Sequence, residues 1–97
     1  MIRIVKMSFE LAYAQDFKTK FEDIKLNILS CRGCRSLRLV QSQEDGGIFF
    51  TISEWDDEDD LENYRNSALF RTTWAHIKPW FNAKPEAWST TQLFSSL

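Results

Sequence analysis

The sequence predicts an α+β fold of the ferredoxin-like type, in which the element order β-α-β-β-α(α)-β forms a four-stranded antiparallel sheet with helices on one face. Two observations lead to this prediction. The spacing of apolar residues changes from every second residue to every third or fourth and back again along the chain. Residues typical of turns separate these periodic segments. At 97 residues, the chain has the size of one domain, which we expect to span residues 1–97.

The first strand and the first helix follow from these two periods. Residues 2–11 alternate between apolar and polar side chains, which predicts a strand. Its side chains expected on one face are Val5, Met7, Phe9 and Leu11. Residues 14–30 carry apolar side chains at steps of three and four, which predicts a helix with one buried stripe. That stripe consists of Phe17, Phe21, Ile24 and Ile28. Gly33 follows the helix and suits a turn.

The middle of the chain predicts a β-hairpin. Residues 34–43 (CRSLRLVQSQ) and residues 48–55 (IFFTISEW) predict two strands. The link between them, residues 44–47, has the sequence Glu-Asp-Gly-Gly. Aspartate and glycine tolerate the positive φ angles that tight hairpin turns need, so we expect the chain to reverse here.

Two helical segments and a last strand complete the chain. The acidic run 56–60 is expected to open a helix, because carboxylates cap free N–H groups and oppose the positive end of the helix dipole. Its expected buried face consists of Leu61, Tyr64 and Ala68. Ser67 either ends this helix or caps the next one, predicted over residues 70–81. Pro79 should kink or loosen that helix in its last turn, and residues 87–94 predict a final strand.

Composition and charge exclude several classes of function. The net charge of −2 gives no reason to expect binding to nucleic acid. No stretch of 18 apolar residues is present, so we expect no membrane span. The N-terminal residues alternate instead of forming the apolar core of a signal peptide. Together with only two cysteines, this pattern predicts a cytoplasmic protein.

The third predicted strand is apolar on both faces. One face carries Ile48, Phe50 and Ile52, and the other carries Phe49 and Trp55. The first strand likewise adds Ile2 and Ile4 to the face opposite Val5 and Met7. A sheet that is covered by helices on one side only should show one polar face. We therefore expect a second copy of the chain to cover the other face, forming a homodimer.

These features together resemble the antibiotic biosynthesis monooxygenase (ABM) family of dimeric α+β barrels. The resemblance rests on the element order, on a strand ending in Trp55 before an acidic helix start, and on the pattern LxxYxxSxxFxxxW from Leu61 to Trp74. The Cys31–Cys34 turn before the second strand is similar to the family's usual Gly-containing turn. The similarity extends from Ile2 to about Phe94.

The resemblance implies a fold, an assembly and a class of reaction. It implies a homodimer whose two sheets pack face to face, with a pocket in each subunit between its own sheet and helices. Some members of the family oxygenate polycyclic phenols with O₂ and use neither metal nor flavin. On this basis we expect a small aromatic ligand and no cofactor.

A related branch of the family binds and degrades haem. The residues that this branch uses for haem do not stand at the matching positions of this sequence. That branch uses an Asn from the first strand, a helix Trp and a His on the last helix. Alignment through Ser67 and Phe70 places Trp74 at the position of that His and Tyr64 at the position of that Trp. His76 lies two residues later, rotated by about 200° around an ideal helix. The first strand offers Lys6 instead of Asn, so haem is not expected.

Five residues are candidates for the site, and each has a plain structural alternative. His76, the only histidine, is the natural proton acceptor near neutral pH, or else a histidine at the edge of a helix. Tyr64 is the second catalytic candidate, because its hydroxyl can donate to a substrate oxygen, or else lie at the rim of the core. Trp74, Trp80 and Trp55 are expected to bind a flat aromatic substrate, or else to pack in the core.

Two further motifs have ordinary explanations. Cys31 and Cys34 have the spacing of a redox pair, but they follow the end of a helix, where the dipole opposes a thiolate. The positive charges of Arg32 and Arg35, in contrast, favour a thiolate. A single such pair is also only half a zinc site. The acidic run 56–60 lacks the glycine and the alternating spacing of a calcium loop, so a helix start is the better interpretation.

The sequence thus leaves two hypotheses about function. The first is a cofactor-independent monooxygenase that acts on a small aromatic or polyketide-like substrate held between sheet and helices. The second is a non-enzymatic dimeric module that binds a small ligand or a partner, in which the same aromatic side chains form the core. A cavity of several hundred cubic ångströms with polar atoms of Tyr64 or His76 inside it would favour the first.

Overall fold

The computed structural model describes residues 1–97 and contains four strands and three helices in the predicted order. The elements are β1 (Ile2–Ser8), α1 (Ala14–Leu29), β2 (Cys34–Gln41), β3 (Ile48–Trp55), α2 (Glu58–Arg65), α3 (Ala68–Ile77) and β4 (Glu86–Thr90). All neighbouring strands pair antiparallel in the order β2-β3-β1-β4. This arrangement confirms the predicted ferredoxin-like α+β fold. None of the helices is long and apolar enough to cross a membrane.

The register of the sheet separates two faces. Val5 lies opposite Thr51 of β3 and Ala87 of β4, and all three side chains point toward the helices. Ile4 lies opposite Ile52 and Trp88, so these side chains point the other way. We call this second surface the open face. Its apolar members are Ile2, Ile4, Val40, Ile48, Phe50, Ile52 and Trp88.

The main core lies between α1 and the centre of the sheet. It is a cluster of seven buried side chains, namely Met7, Phe9, Ala14, Phe17, Phe21, Phe49 and Ile77. The ring of Phe9 stacks on Phe17 with a centroid distance of 4.5 Å, and Phe49 contacts Phe17 edge-on at 5.0 Å. Such aromatic pairs add to the free energy gained from burying their area. The helical stripe predicted for α1 is therefore confirmed.

Side-chain caps fix where the two later helices begin. The carboxylate of Asp57 accepts a hydrogen bond from the backbone N–H of Asp60 at 2.9 Å. The hydroxyl of Ser67 accepts one from the N–H of Phe70 at 3.2 Å, so Ser67 caps α3. Each cap satisfies an N–H group that the helix itself leaves free. Near Pro79 the α-helix gives way to a 3₁₀ turn over Lys78–Trp80.

Glycine is required at two turns. Gly33 has a φ of +82°, and a Cβ at this position would collide with the side chain of Asp60. Gly47, in the β2–β3 hairpin, has ordinary negative φ, so the predicted positive φ in this hairpin is wrong. The turn is held instead by the Asp45 carboxylate, which accepts from the Gly47 N–H at 2.9 Å. Gly47 is needed because a Cβ there would meet the carbonyl oxygen of Phe9.

Several predicted boundaries differ from the structure. The second strand ends at Gln41 instead of residue 43, and the helix predicted over residues 70–81 spans Ala68–Ile77. β1 ends at Ser8, and Leu11 is exposed in a 3₁₀ turn that starts the approach to α1. β4 ends at Thr90 instead of residue 94, opposite Ile2, which is the first residue of β1. Ala68 is exposed at the first position of α3, because the Ser67 cap starts a new helix there.

Candidate functional site

A cavity of about 340 Å³ lies between the sheet and the three helices. It is within the size range of small-molecule sites, and most of its lining is hydrophobic. The sheet contributes inward-facing side chains of β1 and β3, including Val5, Met7 and Trp55. The helices contribute Tyr64 of α2 and Trp74 of α3. Three of the five predicted site residues, Trp55, Tyr64 and Trp74, are thus brought together around one cavity.

A continuous series of aromatic rings forms one wall of this cavity. Trp55 stacks on Tyr64 with a centroid distance of 5.2 Å and an interplanar angle of 23°. Tyr64 meets Phe70 edge-on at 5.2 Å, and Phe70 lies 5.5 Å from Trp74. All four residues belong to the lining. Such a wall offers flat apolar area that suits an aromatic ligand.

A buried hydrogen bond fixes the first ring of this wall. The indole N–H of Trp55 donates to the hydroxyl of Ser53 at 2.9 Å, two residues earlier on the same strand. Trp55 is 1% exposed and Ser53 is 8% exposed. Because alternate residues of a strand point to the same face, both side chains lie beneath the helices. The bond satisfies the indole donor and sets the plane on which Tyr64 stacks.

Tyr64 presents the polar group that best fits a role in the cavity. Its backbone carbonyl accepts from the Ser67 hydroxyl at 2.6 Å and from the Ser67 N–H at 3.0 Å, whereas its phenolic hydroxyl makes no hydrogen bond within the protein. No fully buried side-chain oxygen or nitrogen lacks a partner, so the Tyr64 hydroxyl reaches accessible space. Burial raises the pKa of this phenol well above its usual value, and the nearby Cys31 and Cys34 add to the shift. Tyr64 is therefore a permanent hydrogen-bond donor at neutral pH.

His76 and Trp80 lie outside the lining of this cavity. The imidazole of His76 is exposed on α3 and contacts the edge of Trp80 at 5.2 Å. Trp80 itself stacks on Tyr13 at 5.8 Å. The reason is the rotation of about 200° between positions 74 and 76 of a helix, which turns His76 outward when Trp74 faces inward. The roles predicted for His76 in catalysis and for Trp80 in substrate binding stay predictions, and neither residue lines this cavity.

The lining also contains two arginines that were not among the predicted site residues. Arg3 lies on β1 and Arg65 lies in the last turn of α2. The alternation that places Val5 and Met7 inward also places Arg3 inward, so the signal for Arg3 was present in the sequence. No local pattern predicts that Arg65 reaches the same cavity, because this depends on how α2 crosses the sheet.

The cysteine pair has the environment of ordinary thiols. Both cysteines are free and half-buried. Burial raises the pKa of the Cys31 thiol and of the Cys34 thiol, and the neighbouring Cys31 raises that of Cys34 further. The Cys34 thiol also donates to the carbonyl of Ser36 at 3.7 Å. A raised pKa lowers the fraction of reactive thiolate at neutral pH, which is the opposite of a redox site.

The cavity lining contains no histidine and no cluster of metal-binding side chains. No group of three or more His, Cys, Asp or Glu side chains is placed to hold a metal ion. The only histidine lies outside the cavity, and the inward-facing residues of β1 are Arg3, Val5 and Met7. A histidine-ligated haem in this cavity would therefore lack its protein ligand.

Comparisons with known proteins agree with this architecture. A candidate antibiotic biosynthesis monooxygenase from Nitrosomonas europaea superposes with a TM-score of 0.89 at 16% identity, covering 96% of this chain and 89% of the other. A conserved protein from Methanosarcina mazei superposes with a TM-score of 0.82 at 23% identity, covering 89% of this chain and 86% of the other. A candidate antibiotic biosynthesis monooxygenase from Bordetella bronchiseptica gives 0.85 at 18% identity, covering 96% of each chain.

Sequence comparison assigns the family. No curated protein matches the sequence. The sequence profile described as antibiotic biosynthesis monooxygenase matches residues 1–75, which include β1 to β3, α2 and most of α3. All the residues of the aromatic wall fall within this match. The chain therefore belongs to the antibiotic biosynthesis monooxygenase family.

Proposed function

We propose that the protein is a cofactor-independent monooxygenase that oxidises a small aromatic or polyketide-like substrate in the cavity between sheet and helices. The observation that carries the proposal is the aromatic wall from Trp55 to Trp74, with the hydroxyl of Tyr64 left free of protein partners. Membership of the family and the fold of its monooxygenase-named relatives support the reaction class.

The substrate itself can supply the electrons for this reaction. In a phenol-activated methylene compound, loss of a proton to solvent water leaves an electron-rich carbon that reduces O₂ and forms a carbon–oxygen bond, and the peroxide then takes up a proton from solvent. The resulting hydroperoxide loses water, so the O–O bond breaks and one oxygen atom stays as a carbonyl. The CH₂ group and O₂ thus become a C=O group and H₂O, with four electrons moving from carbon to oxygen.

In this scheme Tyr64 stabilises the negative charge that develops on the substrate oxygen. Its raised pKa keeps the hydroxyl protonated, so it acts as a donor and not as the base. Removal of one such donor from an active site typically lowers the rate by about 100-fold or more. Trp74 and Phe70 would hold the ring system of the substrate flat against the wall.

We also propose that the protein forms a homodimer through the open face. Its apolar side chains lie on the side of the sheet that no helix of the chain covers, and Trp88 is 44% exposed there. An apolar surface of this kind on a sheet marks an interaction site. A second copy of the chain, docked through the same face, would bury it without exposing a new edge.

The test combines oxygen uptake with a matched pair of tyrosine variants. Metal-free protein is incubated with a panel of hydroquinones and anthrone-type phenols, and O₂ consumption and carbonyl product are measured together. Tyr64→Phe should lower the rate by about 100-fold. Tyr13→Phe, which removes a hydroxyl from a tyrosine outside the cavity that is 41% exposed, should leave the rate unchanged. Equal rates for the two variants would contradict the role of Tyr64.

One observation favours a second function, that of a non-enzymatic ligand-binding module. The lining contains no histidine, and its one acidic residue, Glu86, is exposed at the start of β4. A ligand bound in this cavity would therefore meet no buried proton acceptor of the protein. Tight binding of the phenols in the panel without any O₂ uptake would establish this alternative.

A further inference from the structure

We propose that the cavity selects aromatic compounds that carry a carboxylate, and that Arg3 is the residue that binds this group. The inference deepens the proposed function, since it names the class of substrate for the same cavity. It rests on the placement of Arg3, on its lack of a counter-ion and on the number of donors that it leaves free.

Arg3 occupies an inward position near the start of β1, which is an inner strand of the sheet. It pairs with Ser53 of β3 on one side and with Ser89 of β4 on the other. Its side chain is half-buried and belongs to the lining of the cavity. The apolar residue that follows it on the same face is Val5. A cationic group thus borders an otherwise mainly apolar chamber.

No carboxylate of the protein pairs with this cation. The ion pairs of the chain involve other residues, and Arg65 in the same lining is paired with Glu62 at 3.4 Å. The one acid in the lining, Glu86, lies opposite Lys6 in the register and so points toward the open face. Arg3 makes a single side-chain hydrogen bond, in which it donates to the hydroxyl of Ser89 at 3.0 Å.

A guanidinium in this position has unused binding capacity. It carries five N–H donors in a planar fork that matches the two oxygens of a carboxylate. Removing a charge from water is costly unless the charge finds a partner, so a partly buried and unpaired arginine gains from an anionic ligand. The Ser89 bond holds the fork in place and leaves the other N–H groups for that ligand.

The electrostatic surroundings agree with this assignment. Burial lowers the pKa of Arg3, and the positive charge of Arg65 lowers it further, while Glu62 acts in the opposite direction. The two guanidinium groups therefore repel each other across the lining. A ligand carboxylate would relieve this repulsion, whereas a neutral ligand of the same shape would not.

The experiment compares two ligands that differ only in the anionic group. Isothermal titration calorimetry measures binding of 6-hydroxy-2-naphthoate and of 6-hydroxy-2-naphthamide to the wild-type protein and to Arg3→Gln. The wild type should bind the carboxylate about 10- to 100-fold more tightly, as expected for a charge-assisted pair. In Arg3→Gln this preference should disappear, with affinity for the amide almost unchanged.

Two further variants make the result specific. Arg32→Gln removes the same charge from a side chain that is 94% exposed and outside the lining, so the preference should stay. Arg3→Lys keeps the charge but loses the fork and should retain an intermediate preference; it also serves if Arg3→Gln fails to fold. Equal affinity of the wild type for both ligands would overturn the role of Arg3 while leaving the cavity as a binding site. Binding of neither ligand would overturn the proposed function as well.

Discussion

Replacing Ser53 by alanine tests how the aromatic wall is held. The Ser53 hydroxyl accepts the hydrogen bond of the Trp55 indole N–H at 2.9 Å, and both side chains are buried. The substitution removes one oxygen atom, so it leaves no large void. Its main consequence is a buried donor without its partner, beneath the ring on which Tyr64 stacks.

The expected cost follows from that lost partner. A typical hydrogen bond contributes about 1 kcal/mol to stability, and leaving a buried donor unpaired costs about 1–3 kcal/mol. Ser53 borders the cavity, so a water molecule could replace part of the bond. We therefore expect Ser53→Ala to lower the free energy of unfolding by about 1–2 kcal/mol. For a domain of 97 residues, this corresponds to a fall in Tm of about 5–15 °C.

A double-mutant cycle isolates the hydrogen bond. Thermal and urea unfolding are measured for the wild type, Ser53→Ala, Trp55→Phe and the double variant, all at one protomer concentration. Phenylalanine has no N–H group, so Ser53→Ala should cost less than about 0.5 kcal/mol in the Trp55→Phe background. If Ser53→Ala costs the same in both backgrounds, the hydrogen bond does not stabilise the wall and the reasoning is refuted.

Four other predictions concern the open face, the thiols, haem and the turn before β2. Light scattering should give a dimer for the wild type and a monomer for Ile52→Asp, and a monomeric wild type would remove the argument from the open face. Cys31→Ser and Cys34→Ser should leave folding and ligand binding nearly unchanged. The wild-type thiols should react with iodoacetamide at pH 7 more slowly than free cysteine, because burial raises the pKa of both thiols. A loss of activity in either variant would restore the redox interpretation. Haemin should form no tight stoichiometric complex, and a sub-micromolar titration that vanishes in His76→Ala would show that a haem ligand had been overlooked. Gly33→Ala should lower the free energy of unfolding by at least about 1–2 kcal/mol, because φ is +82° there; unchanged stability would mean that the turn relaxes.

The fold was predictable because its signals are local and repeated. Alternation along β1 and β3, and the apolar stripe of α1, each extend over two or more turns or pleats. The ends of elements were harder, because they depend on tertiary partners. β4 stops where β1 provides no further partner, and the hairpin before Ile48 is shaped by the approach of Gly47 to Phe9.

The lining of the candidate cavity was predictable in part, whereas the roles of its residues stay predictions. The sequence predicted that Trp55, Tyr64 and Trp74 lie together, because large aromatic side chains at strand and helix spacing share a common interior, and all three line the cavity. Arg3 was missed although alternation placed it inward, because a charged residue in a strand is normally assigned to the solvated face. The position of Arg65 depends on the packing of α2 against the sheet, for which the sequence offers no local signal.

The fate of molecular oxygen tests the proposed monooxygenase reaction most directly. Purified protein is given a phenol from the panel under oxygen-18 gas, and the product is analysed by mass spectrometry. We expect one labelled oxygen atom to enter the new carbonyl group, with the rate lowered in Tyr64→Phe and unchanged in Tyr13→Phe. A product without label, or labelled product formed equally fast by both variants, would contradict the proposed reaction.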